Sequence, residues 1–156
     1  VCHGIPDDKP LREGDIVNID YTLIVDGWHG DSSRMYGVGE VSTRARKLVD
    51  VTYESLELGL AQIGLLARTE GIDATAVRQA AAADPTDVDA ALAVADLDVL
   101  GGHVSDAFTR LVDLVKATQG DERARVRAHL LELFAVVGNH DERVRRGRTA
   151  LMSALF

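Results

Sequence analysis

The strand signal in this chain stops at one point and does not resume. Over the first 40 residues apolar and polar side chains alternate, with Ile16, Asn18 and Asp20 followed by Tyr21, Leu23 and Val25, the period-two mark of a strand. Asp26-Gly27 interrupts the run; this dipeptide best accepts the positive φ angles of a type I′ hairpin turn. After Val41 apolar residues recur at helical spacing, and no later segment returns to period two. The pattern predicts an α+β protein: an N-terminal antiparallel β-hairpin layer packed on a long helix, followed by an all-α array of antiparallel helices. A lone hairpin is marginal in water, so its apolar side is expected to pack on the first helix through Leu48, Val49, Thr52 and Leu56, with Trp28 as an anchor beside the turn.

The helices are punctuated by their ends. Ser42 is the N-cap expected for the first. Asp73 opens a second, which Asp84-Pro85 breaks near Ala83. Further helices are expected over 87–100, stopped by Gly101-Gly102, over 103–118, over 121–137, stopped by Gly138-Asn139, and over 141–155. Short connections imply antiparallel neighbours. The pair 88–100 and 104–117 meets a repeat pattern in part: Ala95 and Ala107 supply small residues where two helices of one unit would cross, with Gly102 at the turn, while the bulky aromatic positions of such a unit are weak.

If Val25 faces Trp28, then Asp20 faces Ser33 and Thr22 faces Asp31. Asp20 and Asp31 then share a face as diagonal neighbours. Two carboxylates so placed repel unless a cation lies between them, and a pair of divalent metals about 3.5–4 Å apart is the usual solution. Arg34, Arg44 and Arg46 are the nearest cations in sequence. His29 shares the face of Asp31 by alternation.

These residues carry a resemblance. CHGIP at Cys2 to Pro6, DIVNID at Asp15 to Asp20 and HGDSSRM at His29 to Met35 resemble motifs of type I methionine aminopeptidases, and the likeness runs from Val1 to about Ile63. It implies that Asp20 and Asp31 are ligands of a dinuclear centre and that His3 contacts substrate. It also implies a divalent cofactor (Mn, Co, Fe or Mg), held weakly here. The family uses two Asp, one His and two Glu, and the half that supplies the last three has no counterpart in this chain. His103 after two glycines is a faint echo of the missing histidine motif. Val104 and Ser105 do not continue it, and His103 reads better as the start of a helix.

A second resemblance covers about the last 95 residues. DPTDVDA at Asp84 to Ala90, LLELFAVVG at Leu130 to Gly138 and RTALMSALF at Arg148 to Phe156 look like the tetratricopeptide-type helical domain of thioredoxin-like co-chaperones. The two likenesses meet at LELGLAQIGLLAR, Leu56 to Arg68, in a helix that both sources share. The chain reads as a chimera with domains at 1–63 and 64–156. It opens at Val1 in mid-motif, as a fragment or a processed product would.

The remaining features are structural. Cys2 is the single cysteine, so no internal disulfide forms, and a reducing cytoplasm fits. Ser32 and Ser33 lack a His–Asp arrangement for nucleophilic catalysis. Glu132 lies in an apolar helical run and is expected on its surface. RVRRGR at 143–148 follows Asp141 and Glu142 and is expected to be a solvated helix face. A net charge of −8 with interspersed signs argues against a nucleic-acid partner, and no run of about 18 apolar residues spans a membrane. The expected function is a non-catalytic protein binding peptide segments through its helical repeats. The alternatives are a methionine aminopeptidase whose site is completed by other residues or chains, and a recombined sequence with no selected function.

Overall fold

The computed structural model describes residues 4–5 and 7–156. Strands β1 (Ile16–Val25) and β2 (Trp28–Gly37) pair antiparallel. Six helices follow: α1 (Thr43–Thr69), α2 (Ala74–Ala83), α3 (Val88–Leu100), α4 (Val104–Ala117), α5 (Gly120–Val137) and α6 (Glu142–Leu155). This is the α+β architecture that the change of period predicts. The chain divides into two compact units between Glu54 and Ser55, inside α1. α1 itself runs unbroken through the Leu56–Arg68 stretch where the two resemblances meet.

In the first unit the hairpin closes through Asp26 (φ 51°) and Gly27 (φ 82°), both positive as a type I′ turn requires. The register pairs Val25 with Trp28, Thr22 with Asp31 and Asp20 with Ser33. Period two then sorts the sheet into a mainly polar face, carrying Asn18, Asp20, Thr22, His29, Asp31 and Ser33 with Ile16, Ile24 and Met35, and a mainly apolar face, carrying Ile19, Tyr21, Leu23, Val25, Trp28 and Tyr36 with Ser32 and Arg34. No described residue of this unit is buried. Trp28, expected as a packing anchor, is instead 82% exposed. Along α1, Leu48 is 61% exposed, Thr52 is open and Val49 is half-buried; farther along the helix Leu56 is 55% exposed. The elements form as expected, while the side chains expected to seat the hairpin stay in water. Apolar residues at 48, 51, 53 and 56 point to several sides of α1 rather than one stripe.

The second unit holds the core. Side-chain caps start its helices: Asp73 accepts from the N–H groups of Thr75 (2.9 Å) and Ala76 (3.1 Å), Asp87 from Ala90 (3.0 Å), and Asp141 from Arg143 (2.8 Å). The start of α5 differs from expectation. Asp121 lies inside its first turn, where a carboxylate meets the positive end of the helix dipole, and Gln119 precedes the helix without a side-chain cap bond. α3 reads VDAALAVADLDVL and is apolar on nearly every side, which fits its position among neighbouring helices. Ala95 and Ala107 are fully buried, as the repeat pattern requires where α3 and α4 pack. The rings of Phe108 and Phe134 meet edge to face at 4.8 Å, joining α4 to α5. Gly147 of α6 is buried against them: a Cβ built there would lie 2.7 Å from a Phe134 ring carbon, so α6 approaches this closely because the residue has no side chain.

Candidate functional site

The structure brings the two aspartates onto one face, as alternation predicts. Both are exposed. The Thr22 hydroxyl donates to Asp31 Oδ1 at 2.9 Å, and beside it Ser33 Oγ donates to Asn18 Oδ1 at 2.8 Å. The polar face is therefore tied across the strands by side-chain hydrogen bonds. Arg34 pairs with Ile19 and stands on the opposite, apolar face, so it does not neutralise the pair. His29 shares the face of Asp31. Even so, among the described residues no three His, Cys, Asp or Glu side chains converge as a metal-holding group. Two carboxylates fall short of the donor set that a dinuclear centre needs. His3 and Cys2 lie outside the described residues. His103 precedes α4, and its N–H donates to the Asp98 carbonyl at 2.8 Å, in keeping with a helix start.

The denser chemistry is in the helical unit, and the sequence reading missed it. α3 carries two buried carboxylates, Asp96 and Asp98, which point to opposite sides because residues two apart on a helix lie about 200° apart. Asp96 faces α1 and α5. Arg68 Nε donates to its Oδ2 at 2.9 Å, and His129 Nε2 lies 2.7 Å from its Oδ1. Asp98 faces α2 and α4, with Arg78 Nη2 at 2.7 Å and Arg110 Nη2 at 3.6 Å. One helix thus anchors four neighbours through two carboxylates. Burial pushes the Asp96 carboxyl up, but the hydrogen bonds with His129 and Arg68 outweigh it and hold the group below the ordinary carboxylate range. The same bond to Asp96 raises the Arg68 guanidinium. The available signal was two acids, Asp96 and Asp98, in the apolar second half of α3, which must find polar partners or stay in water.

The Asp96 side opens into a groove of about 400 Å³. Its apolar walls include Ile72, Leu92 and Ala128, and its polar groups are Asp96, His129, Arg68, Arg125 and Glu132. Glu132, expected on the helix surface, is exposed there and reaches Arg68 at 3.4 Å. The groove therefore combines a small apolar floor with charged and hydrogen-bonding side chains at its sides. The basic run of α6 is likewise engaged locally: Arg143 pairs with Asp141 at 2.7 Å, Arg145 and Arg146 pair with Glu142, and Arg148 lies 5.2 Å from the centre of the Phe134 ring.

Comparison with known proteins separates the two parts. The N-terminal region is similar to methionine aminopeptidases. The Rickettsia prowazekii (strain Madrid E) enzyme is 60% identical over 60 residues, covering 38% of this chain and 23% of that protein. Methionine aminopeptidase B of Synechocystis sp. is 55% identical over 75 residues (47% and 27%). The Salmonella typhimurium enzyme is 53% identical over 74 residues (46% and 28%). The chain spans about a quarter of the length of these curated relatives. No solved structure matches it. The family model described as tetratricopeptide repeat matches residues 67–156, more than half of the sequence and the same stretch that holds α2 to α6 and their core. By that match, and by the helix pairs it covers, the chain belongs to the tetratricopeptide repeat family.

Proposed function

We propose that the protein is a non-catalytic peptide-binding module, in which the helical unit does the binding and the aminopeptidase-like hairpin performs no turnover. The observation that carries this reading is the groove beside Asp96, where Arg68 and His129 are fixed by a buried carboxylate next to the apolar walls of Ile72, Leu92 and Ala128. Fixed polar groups beside apolar surface give a peptide segment both affinity and register. The occupant is an extended protein segment, such as a co-chaperone client, in a cytoplasmic setting; nucleic acid and lipid are not partners. No described helix is long and apolar enough to cross a membrane.

Asp20 and Asp31 attract a divalent cation (Mn, Co, Fe or Mg) weakly, since two exposed carboxylates leave it mostly hydrated. The domain division at 1–63 and 64–156 follows the two likenesses. His3 would approach a substrate only in a completed aminopeptidase site. The 60% identity to a methionine aminopeptidase favours a second reading, removal of N-terminal methionine with the missing donors supplied from elsewhere. Retention of unstructured peptides by the full chain tests the first reading. Binding should be lost in Ala128→Trp, which fills the groove from an exposed position. Absence of any retained peptide, or retention unaffected by Ala128→Trp, would overturn it.

A further inference from the structure

The apolar face of the hairpin is the largest feature that the helical groove leaves unexplained. Ile19, Tyr21, Leu23, Val25, Trp28 and Tyr36 share it, and each is between 48% and 82% exposed. The opposite face carries Asn18, Asp20, Thr22, His29, Asp31 and Ser33 beside Ile16, Ile24 and Met35, so the Trp28 face is the more apolar of the two and the one suited to burial. The described part of the first unit buries nothing against it. We propose that this face is an isologous interface with a second copy of the same chain, two hairpins packing face to face across a two-fold axis.

Three observations favour that occupant. The first is area. Three aromatic and three aliphatic side chains at these exposures offer roughly 700–800 Å² per copy, the half-share of a standard specific interface. The second is shape. On β2 the face runs Trp28, Gly30, Ser32, Arg34, Tyr36, so the most exposed ring stands beside a stretch with almost no side chain. A Cβ placed on Gly30 would meet nothing within 4 Å, and that open space is a seat for the Trp28 of a partner. In a two-fold interface a patch must complement itself, so a projection and a recess on one face are the required pair. The third is charge. Arg34 is the face's one charged side chain, so the face is nearly uncharged, as the core of an interface is.

Trp28 is the chain's one tryptophan, so its fluorescence reports on this face alone. The test is sedimentation of the full chain across roughly 1–100 µM, with tryptophan emission recorded in parallel. The expected result is a monomer–dimer equilibrium, with emission moving to shorter wavelength as dimer forms. Gly30→Lys fills the seat without removing any contact of the hairpin itself. It should weaken the dimer at least about 30-fold, as should Leu23→Glu, while Asp20→Asn on the opposite face leaves it unchanged. Far-UV circular dichroism should show the same helix content in all four proteins. A wild type that stays monomeric throughout overturns the proposal. So does a dimer that survives Gly30→Lys, or one in which the tryptophan emission does not move.

Discussion

Asp96 of α3 stands between Arg68 and His129, on two different helices, and its closest contact is with His129, whose Nε2 lies 2.7 Å from Oδ1. Arg68 holds the other oxygen. The carboxylate is nearly inaccessible, while Arg68 remains 36% exposed. Asp96→Ala should therefore destabilise the helical unit by about 2–3 kcal/mol, somewhat less than the cost of breaking a fully buried pair, because the abandoned arginine regains water. Urea denaturation followed by circular dichroism measures this. A change below about 0.5 kcal/mol, the level of a surface substitution, would mean that the contact is incidental.

The same residue sets a dependence on acid. The folded pKa of Asp96 lies below the ordinary value, so the folded state holds the carboxylate more strongly than the unfolded chain does. Its stabilisation is complete above the unfolded pKa of about 4 and is lost as pH falls through the lower folded value. Wild-type stability should fall below about pH 4, and the fall should be shallower in Asp96→Asn. Equal acid slopes for the two proteins would assign the loss to other carboxylates.

Gly147 predicts an effect of the opposite kind, from too much side chain. Replacing a helical glycine with alanine ordinarily gains about 1 kcal/mol. Here the new methyl meets Phe134 ring carbons at 2.7 and 2.9 Å and a Phe108 ring carbon at 3.2 Å, and both rings are buried. Overpacking should win, leaving Gly147→Ala less stable by about 1–2 kcal/mol. A thermal melt that rises on substitution would show that α6 shifts outward at no cost.

The aspartate pair predicts weak, water-shared cation binding. Manganese should associate only in the millimolar range, and Asp20→Ala or Asp31→Ala should remove what binding exists. Release of methionine from Met-Ala-Ser in manganese or cobalt should not exceed that of the Asp31→Ala control. Micromolar manganese affinity, or turnover above that control, would point to donors from elsewhere and favour the aminopeptidase reading.

Much of the fold was legible because it rests on local rules. The Asp26-Gly27 turn fixed the register that places Thr22 opposite Asp31, and the aspartate caps and glycine stops set most helix ends. Ala95 and Ala107 marked the helix contact by size alone. What escaped depends on partners distant in sequence. Trp28 and Leu48 have the character of core residues, yet alternation says which face a side chain takes and not whether anything covers it. Asp96 and Asp98 looked like polar interruptions of an apolar helix. Their roles come from Arg68, Arg78, Arg110 and His129 on four other helices, a convergence that no short window of sequence contains.

The sharpest division between a binding protein and a remnant enzyme is where a bound peptide protects the backbone. Hydrogen exchange of the full chain, with and without a peptide that it retains, measures this directly. Slowed exchange in α3 and α5 around Leu92, Asp96 and His129, with β1 and β2 unaffected by the peptide and the effect absent in Ala128→Trp, is the result expected. Protection centred on Asp20 and Asp31 instead, and lost in Asp31→Ala, would contradict it.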